Sequence, residues 1–357
     1  MALDRLQVEN VRCIQAADLS FDADRNLIIG ANASGKTSLL EAIYFLGRAR
    51  SFRSSRNETL IRSGTDNLIA VGHFTDAHRP RILGLRFGRT GLEARLDGRS
   101  VGGIAELATV FPVQAIDPEL HQLIEEGPQQ RRRYLDWGVF HVEPGFVGTW
   151  QRFQRALRQR NAALRTTGAA ELVRAWDGEV IEAGVAVAQA RSAYVEALTP
   201  FVSAAGERLL GQPVELALAQ GWSAERSLKE ALDRSWPRDR ERGMTNVGPH
   251  RADLHIRVGG LPARERVSRG QQKLVAAALL LGQLKCDASQ GSPTAALLVD
   301  DPAAELDPVS LGALLDEILA LPLQLFVTAL DGSHRALERL ERPARFHVEH
   351  GKLTRLL

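Results

Sequence analysis

Hydrophobic and polar positions along the chain mark out strands at both ends and helices between them. Leu6-Gln7-Val8-Glu9-Asn10-Val11 alternates as a half-buried strand does. Asn26-Leu27-Ile28-Ile29 is a short apolar run, the pattern of a strand covered on both faces. A helical stretch follows from Ser38 to Leu46, then strand patterns at 69–74 and 81–86, with Gly/Asp turns near 88–98. From about 117 the period lengthens. Trp150, Phe153, Leu157 and Leu164 share one helical stripe. Val173, Trp176, Val180, Ala183, Val187, Ala190 and Tyr194 share a second, with Thr166-Thr167-Gly168 between them. Strand patterns return at Val214–Leu218 and Leu254–Val258, and the charged segment 223–245 between them reads as partly mobile. The chain ends as helix (272–285), buried strand (295–299), helix (309–320), strand (323–328) and short strand (345–349). Alternating helices and apolar strands predict an α/β fold with a mostly parallel sheet. The predicted division is a head formed by 1–116 and 211–357, with a helical insert at 117–210.

Composition narrows the classes. The 357 residues are 44% hydrophobic and 25% charged, ordinary for a globular protein, and the net charge is only +2. Cys13 and Cys286 are too few and too separated for a disulfide framework or a zinc site. The N-terminus carries no apolar signal core, and Leu274–Leu281 is far too short to span a bilayer. These features predict a cytoplasmic protein without a membrane anchor.

The strongest chemistry lies at Gly30-Ala31-Asn32-Ala33-Ser34-Gly35-Lys36-Thr37, between an apolar strand and a helix. A P-loop has this form. Successive backbone N–H groups and the positive helix end converge on phosphate, Lys36 reaches the β- and γ-phosphates, and the Thr37 hydroxyl ligates Mg²⁺. The second element is Ala295-Ala296-Leu297-Leu298-Val299-Asp300-Asp301, a core strand ending in two carboxylates. This is the Walker B arrangement: Asp300 serves the Mg²⁺ shell, and Asp301 orients or deprotonates water. ATP and Mg²⁺ are the cofactors so implied. Gln114, following a strand, is the candidate glutamine that touches Mg²⁺; an ordinary polar loop residue is the competing reading.

Ser268-Arg269-Gly270-Gln271-Gln272-Lys273 precedes a helix, and Ser268 can act as its N-cap. The run also resembles the Ser-x-Gly-Gln core of the ABC-type ATPase signature. In that superfamily the serine contacts the γ-phosphate held by the other subunit, so Ser268, Gly270 and Gln271 become nucleotide-contact candidates. Glu305-Leu306-Asp307 resembles the D-loop of the same dimer interface. Two positions depart from the pattern. Asp301 stands where glutamate is usual, and Phe326-Val327-Thr328-Ala329 lacks the switch histidine. Both departures point to slow hydrolysis.

Further motifs narrow the family. Pro118-Glu119, Leu123-Ile124, Gly127-Pro128, Arg131-Arg132 and Tyr134-Leu135-Asp136-Trp137 together resemble one signature of the RecF family of bacterial repair proteins. Gly248-Pro249-His250-Arg251 with Asp253-Leu254 resembles its second. The resemblance runs from near residue 4 to near 350. Glu126, where the family usually has Gly, and Ala252, where it usually has Asp, depart from it. The resemblance implies an ABC/SMC-type ATPase head with a short helical lid. It implies an ATP-dependent homodimer, weak DNA-stimulated hydrolysis and binding to duplex DNA near single-strand gaps. It also implies work with RecR and RecO, help in loading RecA, and roles in DNA replication and the SOS response.

DNA binding has independent support: residues 131–165 contain eight arginines and two acids. Arg131, Arg132, Arg152, Arg155 and Arg158 are the candidate backbone contacts, such contacts giving affinity without sequence readout. Arg131 and Arg132 can also be read as internal ion-pair residues. The competing function is the nucleotide-binding subunit of an ABC transporter, which should carry a switch histidine and lack an Arg-rich insert. A full SMC protein is excluded by length. A DNA scaffold with a dead ATP site conflicts with intact Lys36, Thr37 and Asp300, and a P-loop kinase would not need Ser268-Arg269-Gly270-Gln271.

Overall fold

The computed structural model describes residues 2–75, 79–166, 169–292, 296–332 and 334–356; Thr167, Gly168 and Ala295, named above, lie outside them. The chain forms two compact units, Met1–Leu120 with Pro293–Leu357, and His121–Ser292.

The first unit opens with β1 (Ala2–Val11), β2 (Ile14–Ser20) and β3 (Arg25–Ile29), then α1 (Lys36–Arg48). β4 (Asn67–Thr75), β5 (Pro80–Gly88), β6 (Gly91–Leu96), β7 (Arg99–Ser100), α2 (Ile104–Val110) and β8 (Val113–Ile116) follow. The first of two sheets runs β2-β1-β4-β5-β6-β7 and is antiparallel. From Asn67 to Phe74 its strand β4 alternates between half-buried and buried residues, as a sheet packed on one face must.

The second unit begins with α3 (Gln122–Glu125), α4 (Pro128–Val142), α5 (Phe146–Thr166), α6 (Ala170–Arg174) and α7 (Asp177–Leu210). It continues through β9 (Val214–Ala219), α8 (Leu228–Arg242), β10 (Asp253–Val258), β11 (Leu261–Pro262), α9 (Ala263–Arg266) and α10 (Arg269–Ser289). Both expected stripes are core: Phe153, Leu157 and Leu164 on α5, and Val180, Ala183, Val187 and Tyr194 on α7. Two expectations change here. The unit runs on to Ser292 instead of stopping at 210, because β9 and β10 pair with each other in a small antiparallel sheet and do not rejoin the parallel one. α10 also packs along α7. Segment 223–245, expected to be partly mobile, holds α8. A reciprocal Ser227–Glu230 capping box starts that helix, and Leu228, Ala231 and Leu232 give it a buried stripe among the charges.

The chain then completes the first unit with β12 (Ala296–Val299), α11 (Pro308–Leu319), β13 (Gln324–Ala329), β14 (Ala344–Glu349) and β15 (Lys352–Leu356). The second sheet of the first unit runs β15-β14-β3-β13-β12-β8 and is parallel except for edge strand β15. Every residue of β12 and β13 is buried, which explains the unbroken apolar run of β12 and the Leu325-Phe326-Val327 centre of β13, whose buried polar residues Gln324 and Thr328 are hydrogen-bonded. α1 is the hinge of the core. Its Leu39, Ile43 and Phe45 join Leu6, Leu68 and Leu85 of the antiparallel sheet and Leu298, Phe326 and Phe346 of the parallel one. A helix apolar on nearly all sides fits only such an enclosed place.

Candidate functional site

The first unit builds its site at the carboxyl end of β3. Gly30 has no room for a side chain: a Cβ there would lie 2.3 Å from the Val348 carbonyl oxygen and 2.7 Å from Ser34 Oγ. Gly35 takes φ +118°, which favours glycine, and serves as N-cap of α1. Ala31, Asn32 and Ala33 are exposed, so the loop is open to solvent. Lys36 folds back over the loop, its Nζ donating to the carbonyls of Gly30 at 2.7 Å and Ala31 at 3.1 Å. The backbone N–H of Gly351 donates to the Ser34 carbonyl at 2.8 Å and fixes the loop from the far side. Ser34 Oγ is buried with no partner among the described residues, a donor that an anion in the loop would satisfy.

The two acids of the Walker B pattern meet this loop across most of the sequence. Thr37 Oγ1 lies 3.0 Å from both carboxylate oxygens of Asp300, the residue after β12. Thr328, at the end of β13, donates its hydroxyl to Asp300 Oδ1 at 2.8 Å and accepts the Asp301 N–H at 2.8 Å. One hydroxyl thus holds both acids, and Asp301 takes the left-handed backbone at φ +47°. Burial raises the carboxyl of Asp300 above its ordinary range, opposed by the hydrogen bonds of Thr328 and Thr37 and by the Arg53 charge, and reinforced by Asp301. A hydroxyl beside a carboxylate is the hard-oxygen pair that suits Mg²⁺, an ion that takes its remaining ligands from phosphate and water. The residues fit the ion.

Gln114 stands one strand away from Asp300, three register positions short of it. It lies within β8 beside Leu297, and its Oε1 accepts from Arg48 Nη2 at 3.4 Å. Strand register instead carries β8 out next to Asp300 at Asp117, whose carboxyl burial pushes up to about 7. The Arg53 charge partly opposes the effect of burial on the carboxyls of both Asp117 and Asp300. Sequence reasoning missed Asp117, Arg53 and the bridging role of Thr328. Their signal is strand register, which no local motif displays.

Ser268 lies in the second unit, exposed at the N-cap of α10. Its Oγ accepts from the Gln271 N–H at 3.4 Å, while Gln271 Oε1 accepts from the Ser268 N–H at 3.0 Å. It is therefore a helix cap in this structure, and its exposure with that of Gly270 leaves the helix end accessible. In the first unit Asp307 caps α11 through the N–H groups of Val309 and Ser310, and Val309 beside it is 82% exposed.

The arginines divide sharply. Arg131 makes a bidentate pair with Asp253 (2.7 and 3.1 Å) and donates to the Glu126 carbonyl at 2.7 Å, and Arg132 donates to the Ala252 carbonyl at 2.7 Å. Both hold the Gly248–Leu254 motif in place, the internal role that is their alternative reading. Arg191 adds to the same frame, gripping Asp136 at 2.8 and 3.0 Å and the Pro249 carbonyl at 2.6 Å. Arg152 is offset by Glu179 at 2.8 Å and Glu182 at 3.0 Å. Arg160 is fully buried between Asp177 (2.7 Å), Asp239 (2.9 Å) and Thr245 (2.8 Å). Arg155 and Arg158 alone among the five candidates are exposed without an ion-pair partner among the described residues.

The family described as RecF/RecN/SMC N terminal domain matches residues 2–354. The DNA replication and repair protein RecF of Shewanella baltica (strain OS155) is 40% identical over 357 residues, 99% of each chain. That of Erwinia tasmaniensis is 40% identical over 356 residues, again 99% of each. Among solved structures, the recombination mediator protein RecF bound to ATP, from the RecFOR pathway, superposes with TM-score 0.89 at 25% identity. The match covers 100% of this chain and 98% of that one. An Smc head domain from Pyrococcus furiosus shares the fold, with TM-score 0.62 at 17% identity over 99% and 96% of the two chains.

Proposed function

The chain belongs to the RecF family of SMC-type ATPases, and on that footing we propose an ATP-switched DNA-binding protein of recombinational repair and replication. ATP binding closes a homodimer on duplex DNA near single-strand gaps. There, with RecR and RecO, it helps RecA load, and slow hydrolysis resets the dimer. The observation that carries the ATP reading is the contact between Thr37 and Asp300, 3.0 Å apart and separated by 263 residues. Family membership sets aside the transporter-subunit alternative. No helix among the described residues is long and apolar enough to cross a membrane.

Each residue has a part in this reading. The loop from Gly30 to Thr37 binds the phosphates through its N–H groups, and Lys36 exchanges the carbonyls of Gly30 and Ala31 for phosphate oxygens. Ser34 Oγ gains the partner it lacks. Thr37 and Asp300 would hold Mg²⁺, which offsets the charge developing on the phosphate oxygens. Asp301 positions water. As the shorter acid it does so less tightly than glutamate, and errors near 1 Å can cost about a hundredfold in rate. Ser268, with Gly270 and Gln271, meets the γ-phosphate of a second copy, and the Asp307 loop lies at the same interface.

Arg155 and Arg158 contact the DNA backbone. Arg155→Ala with Arg158→Ala should weaken ATP-dependent binding to a gapped duplex equally for unrelated sequences. Its salt slope should flatten by up to about one unit per lost contact. Fluorescence anisotropy across a salt series makes the measurement; unchanged affinity and slope would place the DNA surface elsewhere.

A further inference from the structure

The second unit carries a cationic feature that neither the nucleotide site nor the family motifs absorb. On α8, Trp236 is half-buried, and the guanidinium of Arg240 lies over its ring, 5.9 Å from the centroid. From α6, Arg174 lies over the same ring at 5.2 Å. Both arginines are exposed, and neither has a carboxylate partner among the described residues. This contrasts with Arg131, Arg152, Arg160 and Arg191, each paired with acid. The last-turn position of Arg240 suits the helix dipole and accounts for its sign, but not for its place on the indole. A guanidinium held over an aromatic face by cation–π attraction keeps its N–H donors available and loses less entropy when it binds.

We propose that Arg174 and Arg240, held in place by Trp236, form a pre-organised clamp for nucleic-acid phosphate. The proposal rests on the DNA-binding reading above and extends it beyond α5. A polyanion is the fitting partner because the clamp does not stand alone. Arg155, Arg158 and Arg165 fall on the outward side of α5, all exposed, at spacings of three and seven residues. α5 is tied to α8 by the buried Arg160–Asp239 pair, and the Arg165 stem lies against Gly243 just beyond the end of α8. A stripe of cations with a fixed pair beside it matches successive phosphates of a backbone.

The test uses the full chain with ATP, Mg²⁺ and a short duplex across a salt series. Arg174→Ala with Arg240→Ala should flatten the slope of log affinity against log salt by up to about two units. Trp236→Leu removes no charge, yet it should weaken binding severalfold by freeing both arginines, and Trp236→Phe should restore most of it. Thermal melts check that each variant is folded. Wild-type affinity and slope in Trp236→Leu would overturn the clamp. So would an arginine-pair variant that binds duplex normally but loses binding to polyglutamate, since the occupant would then be an acidic protein. A loss confined to Arg155→Ala with Arg158→Ala would sink the clamp alone, whereas a wild-type chain that fails to bind duplex would sink the underlying reading with it.

Discussion

Asp239→Ala should destabilise the second unit by about 3–5 kcal/mol, because it strands a charged group in the interior. The carboxylate is fully buried and satisfies four donors: Arg160 at 2.9 Å, Ser235 Oγ at 3.2 Å, the Asn246 N–H at 3.0 Å and Asn246 Nδ2 at 2.9 Å. Removing it leaves the Arg160 guanidinium with Asp177 alone for charge and takes the ends of α5 and α8 apart. Because the chain has two units, the loss should be read in the denaturation transition of the second unit, not in one global midpoint. Arg160→Met combined with Asp239→Leu should recover much of it, since replacing a buried pair by apolar groups is often near neutral. A single-variant loss below about 1 kcal/mol would mean that water reaches this network.

Lys36→Ala should weaken MgATP binding by roughly a hundredfold or more, the scale of charge-assisted hydrogen bonds to phosphate. The fold should survive. Among the described residues the ammonium bonds only the carbonyls of Gly30 and Ala31, and both belong to the phosphate loop. Calorimetric titration with MgATP and a thermal melt separate the two effects. Wild-type affinity in the variant would remove Lys36 from the phosphate site.

What the sequence disclosed follows from how local each feature is. The phosphate loop was legible because its chemistry needs consecutive residues between a strand and a helix, and Gly30 and Gly35 are fixed by contacts and backbone angles at those very positions. The buried strand before Asp300 was legible by its apolar run. Pairing was not. β1, β4 and β5 showed their periods, but nothing local separates their antiparallel sheet from the parallel one. Register hid Asp117 while Gln114, three residues earlier, looked the more apt ligand. The internal pairing of some arginines was hidden for a related reason. The acid that fixes Arg131 stands 122 residues away, and the one that fixes Arg160 stands 79 away. A cluster of positive charge in sequence therefore says little about which guanidinium is free. α8 was obscured because the charges around its narrow apolar stripe dominate the composition.

ATP is expected to close two copies of this chain through Ser268, and light scattering of the full chain with Mg²⁺ reads that most directly. The predicted result is monomer mass without nucleotide, dimer mass with ATP, and monomer mass with ATP for Ser268→Arg, which still binds nucleotide. A wild-type mass unchanged by ATP, or a Ser268→Arg variant that dimerises normally, would contradict it and leave Ser268 only the helix cap it is seen to be.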